Sequence, residues 1–294
     1  MTEPAYEGGH VKRQRATKAE MQHRYDALYE IVRENKPTGI RFCYYRATTR
    51  GVVAKTDSGY NMVQRAILDM RRSGRIPWHW VVDSSRWMRK PDTWGSVEEL
   101  LADAGASYRR ALWRDSESVV EVWCESESVA GVLYPTTAKW DVPLHPLKGQ
   151  TSDSFAWGAA VQYRDDPRPL TIFYLGDHDP AGYEIETNLH AKLVEFSGRV
   201  DIEFLRLAVD FGDVQQLGLT GTTPKKPSYR DKVTGGLVPW HGPAVEVEAV
   251  DPPMLRRWLD ACISDKVDHE ALRLLRVAEE SEREILLRMA GEAS

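Results

Sequence analysis

Two aspartates two positions apart, Asp177 and Asp179, follow the run Thr171-Ile-Phe-Tyr-Leu-Gly176, and Pro180 and Gly182 come next. The run reads as a buried strand, and Pro180-Ala-Gly182 as the entry to a helix. Side chains two apart in extended chain point the same way, so both carboxylates are expected to face one point. Packing does not call for two negative charges side by side at a strand end. A hard divalent cation does, and Mg²⁺ is typically held by one or two carboxylates while keeping waters for substrate phosphates. Mn²⁺ accepts the same oxygen ligands. Upstream, Ser118-Val-Val-Glu-Val-Trp-Cys124 reads as another strand, with Glu125 at its end. Carboxylates after two strands of one α/β sheet can converge at its C-terminal edge, where ligand sites form. The competing reading makes Glu125 a surface charge and the aspartates a solvated, N-capped turn.

The elements that must position these residues are legible in outline. Residues 1–18 read as a flexible arm carrying Lys12, Arg13, Arg15 and Lys18. Helical spacing of Met21, Tyr25, Leu28, Tyr29 and Val32 predicts a first helix, broken at Lys36-Pro-Thr-Gly39. A second helix is expected from about Thr38 to Gly51, and a third over 58–73 with Met62, Ala66, Ile67 and Met70 facing inward. Ile76 to Val82 reads as a short strand or wing. Three helices and a wing make a helix-turn-helix type of module, which places one helix in the DNA major groove. Gln64, Arg65, Arg71 and Arg72 on the third helix are the candidate DNA contacts, with Arg46 on the second. A linker of helical character over 89–113 completes a unit spanning 19–112.

From 113 to 294 the expected order is strand 118–124, helix 126–138, strand 142–147, helix 153–163, strand 170–175, helix 182–197 and strand 200–207. Alternation of this kind implies an α/β fold with a parallel sheet flanked by helices. Residues 208–243, rich in Gly and Pro, read as a long exposed loop, and 253–264 and 268–290 as helices.

Glu125 with Asp177-His-Asp179-Pro-Ala-Gly182 resembles a Toprim domain, the metal-binding module of topoisomerases, primases and some nucleases. The Asp-x-Asp-Pro-x-Gly form is similar to the branch holding the topoisomerase VI A subunit and the meiotic double-strand-break proteins, with compact relatives in phages and mobile elements. Arg41-Phe-Cys-Tyr-Tyr-Arg46 is similar to that family's Arg-x-x-Tyr-Tyr motif, whose last tyrosine, here Tyr45, cleaves DNA. The stretch Gly51 to Arg86 resembles the winged helix of the compact relatives, and Val245-Glu-Val-Glu-Ala-Val-Asp-Pro-Pro253 a late Toprim segment. The resemblance covers about residues 25 to 265.

The resemblance implies Tyr45 attack on a phosphodiester of double-stranded DNA to give a 5′-phosphotyrosyl break. It implies Arg41 and Glu125 as catalytic partners and Glu125, Asp177 and Asp179 as ligands of Mg²⁺ or Mn²⁺. It also implies a homodimer in which the tyrosine of one protomer meets the metal site of the other. Arg41 precedes Tyr45 by four residues and so shares its helical face. Two features depart from the family. Ser126 stands where the compact relatives carry Lys, and no ATPase module is recognisable, so ATP-driven strand passage would need a separate ATPase partner. Two alternatives stay open: a Toprim nuclease that hydrolyses DNA with metal-activated water, and a DNA-binding module with a degenerate site.

Composition agrees with a DNA-facing front and a cation-binding back. Residues 1–114 carry a formal balance of +8 and residues 115–294 one of −13. A basic half suits phosphate contact. No run approaches the roughly 18 apolar residues that suggest a membrane span. The polar start is unlike a signal peptide, and three scattered cysteines, Cys43, Cys124 and Cys262, suit a reducing cytoplasm beside the nucleoid.

Overall fold

The computed structural model describes residues 17–82 and 90–292. The arm cations Lys12, Arg13 and Arg15, and the segment Asp83-Ser-Ser-Arg86, lie outside the described residues.

Helices α1 (Lys18–Asn35), α2 (Ile40–Thr49) and α3 (Asp57–Arg72) form the N-terminal part. Thr17 and Glu20 close a reciprocal capping box on α1, and Thr56 caps α3, which satisfies amide groups the first turns leave free. Leu28, Ile31 and Val32 meet Cys43, Tyr45 and Ala47 and then Val63, Ile67 and Met70 in one core. Val63 takes the inner position expected for Met62, which is only partly buried. The expected strand at 76–82 is instead a 3-10 turn, Trp78–Trp80, followed by a single bridge from Val81 to Thr38. Pro77 has no N–H to give a ladder. Arg71 lies 4.2 Å from the Trp78 ring and donates to the Trp78 carbonyl at 3.0 Å, holding the segment against α3.

The rest of the chain is an α/β layer structure. Strands β1 (Val119–Cys124), β2 (Leu144–Pro146), β3 (Leu170–Leu175) and β4 (Ile202–Ala208) form a parallel sheet in the order β2-β1-β3-β4. Every residue of β3 is buried, as expected for a parallel strand covered on both faces. Helix α5 (Glu127–Lys139) joins β1 to β2 and packs with α9 (Pro252–Ser264) on one face, over Val120, Val122 and Phe173. Helices α6 (Asp153–Tyr163) and α7 (Pro180–Ser197) cover the other, over Trp123, Ile172 and Tyr174. The connections leaving β1 and β3 therefore run to opposite faces, and a crevice opens between the C-terminal ends of these two neighbours.

Residues 208–243 are not the loop expected. They hold α8 (Phe211–Gln216) and a hairpin of β5 (Ser228–Arg230) and β6 (Leu237–Pro239). Tyr229 and Trp240 from this segment pack on Tyr183 of α7, with ring centres 5.4 and 5.2 Å away. Gly and Pro there shape turns around anchoring aromatics. The linker contains α4 (Val97–Ser107), against which α10 (His269–Glu292) packs.

Helix α2 belongs to both parts. Its Phe42 is buried in the core beneath the sheet, while Cys43 and Tyr45 serve the N-terminal core. Arg46 pairs with Asp251 at 2.6 Å, and Arg256 donates to the Pro37 carbonyl at 3.1 Å. No helix among the described residues is long and apolar enough to cross a membrane.

One buried group gives the fold a pH dependence. Glu121 of β1 is 5% exposed and accepts a hydrogen bond from Trp123 Nε1 at 2.8 Å. Burial pushes its carboxyl up to about 7. A carboxyl raised in the folded state stabilises most at low pH, and that contribution fades as pH rises through the folded value. Burial pulls the neighbouring His145 down to about 4, which works in the opposite sense below the usual histidine range. Glu121→Gln is therefore expected to raise thermal stability near pH 8 by about 2–3 kcal/mol. Melting curves should show little gain near pH 5, where the carboxyl is already neutral.

Candidate functional site

Register fixes the site. Cys124 pairs with Leu175, so Glu125 leaves β1 beside Gly176, and its amide donates to the Leu175 carbonyl at 3.0 Å. The Glu125 carboxylate then accepts the Asp177 amide at 2.9 Å. Two glycines make the turn possible. A Cβ on Gly176 would lie 2.5 Å from the Tyr174 ring, and one on Gly182 would lie 2.3 Å from the Asp177 carbonyl oxygen. Helix α7 can tuck under the aspartate turn only because Gly182 has no side chain.

The two aspartates part company at this turn. Asp177 turns into a cleft of about 400 Å³, lined also by Arg41, Glu125, Ser126, Lys148 and Glu248. Asp179 is the N-cap of α7, and its Oδ1 accepts the Gly182 amide at 2.7 Å. It still stands close enough to Glu125 for its charge to disfavour ionisation there. His178 faces away from the cleft, with its ring centre 4.5 Å from that of Trp240.

Two acids arrive that the spacing of the aspartates did not reveal. Val245 and His178 form an antiparallel bridge through hydrogen bonds of 2.7 and 3.0 Å. The bridge lays Glu246, Val247 and Glu248 over the turn, and the Val247 amide donates to Asp177 Oδ1 at 2.9 Å. Glu248 is 2% exposed and sits 3.4 Å from Ser126 Oγ. The alternation Val-Glu-Val-Glu at 245–248 was the one sequence signal for this. Arg206 of β4 was also missed. It pairs with Glu186 at 2.6 Å and donates from Nη1 to the carbonyls of Gly176, Asp177 and Val209, clamping the turn from below.

The electrostatics describe a cleft in which Glu125, Glu127, Asp177 and Glu248 outnumber Arg41 and Lys148. Burial pushes the Glu125 carboxyl up, with the Asp179 charge adding to it. Burial, then the charges of Glu125 and Glu248, hold Asp177 well above the usual carboxylate range. Glu248 is raised by burial although Arg41 opposes the shift. Carboxylates that share a site in this way resist ionising together.

The N-terminal part supplies the other wall. Arg41 pairs with Glu246 at 2.6 Å and lies 3.6 Å from Glu248. One turn further along α2, Tyr45 is 9% exposed. Its hydroxyl is raised far above the ordinary range by burial, then by a hydrogen bond to the Glu246 carboxylate, with Arg41 opposing. Ser126, where the resemblance leads one to expect Lys, caps α5 by accepting the Val129 amide at 3.2 Å. A cation reaches that place from elsewhere, since Lys148 lines the cleft and pairs with Glu127 at 2.6 Å.

The candidate DNA contacts divide. Gln64, Arg65 and Arg72 are exposed on α3. Arg71 is engaged with Trp78, and Arg46 is tied to Asp251 between the two parts.

As placed, no three or more His, Cys, Asp or Glu side chains among the described residues gather into a group that could hold a metal ion. The donor chemistry nonetheless fits one. Glu125, Asp177 and Asp179 each commit oxygen to a backbone amide, and a carboxylate offers about four acceptor positions. An all-oxygen set of mutually repelling carboxylates is what Mg²⁺ or Mn²⁺ takes. No family model matches the chain, and no curated protein matches it.

Proposed function

We propose that this protein is a metal-dependent DNA-cleaving protein in which a Toprim-type sheet and a winged-helix-type N-terminal part share one site, with Tyr45 as nucleophile. The observation that carries the reading is the meeting of Arg41 from α2 with Glu125, Asp177 and Glu248 around the crevice between β1 and β3, with Tyr45 one turn along α2 against Glu246. Two parts of the chain, each with its own core, converge there. A solvated acidic turn would need no arginine and tyrosine brought from another part of the fold.

The roles follow from placement. Double-stranded DNA lies against the exposed Gln64, Arg65 and Arg72, and a phosphodiester enters the cleft. Tyr45 Oη loses its proton to solvent and forms a bond to phosphorus. The bond from phosphorus to the 3′-oxygen breaks, and that oxygen takes a proton from water, leaving a 5′-phosphotyrosyl end. Arg41, beside the phenol, favours its anion and faces the charge that builds on the phosphate. Glu125, Asp177 and Glu248, with the remaining oxygen of Asp179, would hold Mg²⁺ or Mn²⁺. The bound cation supplies charge neutralisation at the phosphate and leaving oxygen.

A second reading has its own observation. The burial that holds the Tyr45 proton suits a structural tyrosine, with water as the attacking group of a nuclease. Cleavage of supercoiled plasmid with Mg²⁺ or Mn²⁺, quenched in SDS, separates the two. Ends that carry protein until protease is added establish tyrosine transesterification. Free 5′-phosphate ends establish hydrolysis. Binding without cutting, with and without an added ATPase partner, overturns both.

A further inference from the structure

The hairpin of β5 and β6 is anchored over the first two turns of α7. Tyr229 and Trp240 pack on the Tyr183 ring, the Thr187 hydroxyl donates to the Arg230 carbonyl at 3.4 Å, and Lys226 pairs with Glu184 at 2.7 Å. Asp179 caps the same helix, so along its axis these anchors stand within about 12 Å of the aspartate turn. Beneath them, Arg206 lies 3.9 Å from the Tyr183 ring and holds the carbonyls of Gly176 and Asp177. His178 turns from the cleft toward Trp240. The hairpin therefore flanks the aspartate turn on the side away from the wall that Arg41 makes.

Strand pairing decides which side chains face out. Tyr229 stands opposite Val238, and Arg230 opposite Leu237. Opposed residues share a face, and successive residues alternate. Tyr229 takes the face toward α7, so Arg230 and Leu237 take the outer one, and both are exposed. Lys232 and Val233 at the tip, and Lys225 in the approach to β5, are exposed as well. The tip is a built turn. Asp231 Oδ1 accepts the amides of Val233 and Thr234 at 2.8 and 3.2 Å, and the Asp231 amide donates to the Gly236 carbonyl at 2.9 Å. Asp231 is the one acid in residues 222–241, and its carboxylate is committed to that turn. Lys225, Lys226, Arg230 and Lys232 share the stretch with it, inside a half of the chain whose formal balance is −13. Covering α7 needs the Tyr229 face alone. An outer face of cations and exposed apolar side chains matches a polyanion with apolar sugars between its charges.

We propose that this hairpin is a second DNA contact, whose outer face takes the backbone of a duplex crossing the cleft. This rests on the reading of the protein as a DNA-cleaving one. Lys225, Arg230 and Lys232 meet phosphates, while Val233 and Leu237 lie against the sugars, contacts that position a duplex without reading its sequence. Helix α3, through Gln64, Arg65 and Arg72, and the hairpin then hold the duplex on both sides of the scissile phosphate. Each cation that neutralises a phosphate releases a counterion, so the contact has a salt signature.

Fluorescence anisotropy of a labelled duplex in EDTA, over a salt series, tests this with no cleavage under way. Lys225→Gln/Lys232→Gln removes two exposed charges and no packing. It should weaken binding by roughly tenfold or more near physiological salt and lower the slope of log K against log salt by about 2. Arg257→Gln/Arg276→Gln, a matched loss of exposed charge on α9 and α10, should keep the wild-type slope. A photo-crosslinking residue at Val233 should attach the protein to the duplex on irradiation, and one at the exposed Leu274 of α10 should not. An unchanged slope in the hairpin pair, or an equal fall in both pairs, overturns the proposal. The underlying reading fails separately. If Arg65→Gln/Arg72→Gln loses affinity while the hairpin pair does not, DNA binding stands and only the hairpin contact falls. Wild type that binds no duplex overturns both. Melting curves of each variant exclude loss of folding as the cause.

Discussion

Tyr45→Phe is expected to remove every protein-linked DNA end while leaving the fold and DNA binding in place. The phenyl ring keeps its contacts in the N-terminal core, where Tyr45 packs with Tyr44 at 5.3 Å between ring centres. Only the hydroxyl is lost, together with its hydrogen bond to Glu246, which costs about 1 kcal/mol of stability. The chemical effect is far larger. With Tyr45 as nucleophile, covalent product should fall by roughly 10⁴-fold or more, as when other enzymes lose their nucleophile. A gel assay with radiolabelled DNA, run after SDS with and without protease, reads this directly. Metal-dependent cutting that survives in Tyr45→Phe with free 5′-phosphate ends would transfer the chemistry to water and make Tyr45 a packing residue.

Much of the fold was legible because the strands are buried on both faces and their helices are bounded by clear caps. Leu170 to Leu175 reads as a strand from apolar content alone, and Asp179-Pro180 marks the start of α7. The aspartate turn was legible for the same local reason. What was not legible is what arrives from a distance. Glu246 and Glu248 come some seventy residues after the turn, and a single backbone bridge between Val245 and His178 aligns them. The alternation Val-Glu-Val-Glu at 245–248 suggests an extended segment but not which part of the chain it pairs with. The parting of Asp177 and Asp179 was hidden too, because Asp179 leaves the extended run to cap a helix. At Arg46 the sequence shows only a cation beside a tyrosine motif, which suits DNA as well as it suits Asp251. The hairpin at 228–239 reads as loop because the surrounding 208–243 is rich in Gly and Pro, while the anchoring Tyr229 and Trp240 are too sparse to show a period.

Asp177→Asn should move stability and activity in opposite directions. Asp177 lies in an acidic cleft where burial and then the charges of Glu125 and Glu248 disfavour its ionised form. The change removes a charge and keeps the acceptor: an Asn Oδ1 can still take the Val247 amide that Asp177 takes at 2.9 Å. In EDTA at about pH 8 the variant should therefore be more stable, by roughly 1–2 kcal/mol, because an unpaired buried charge has gone. For a chain of this size that is a melting point higher by about 2–3 °C. The gain should shrink as pH falls, since a carboxyl raised in the folded state takes up its proton and sheds its penalty in that direction. Adding millimolar Mg²⁺ should reverse the ranking. Wild type gains stability in proportion to its occupancy, while the variant, short of an anionic ligand, gains little. Cleavage should fall by roughly 10³-fold, equivalent to several kcal/mol of lost charge stabilisation. A capped turn with no metal role predicts otherwise: Asn would leave the melting point unchanged or lower it, in EDTA and in Mg²⁺ alike. Paired melting curves in the two buffers thus decide whether the repulsion in this cleft exists to hold a cation.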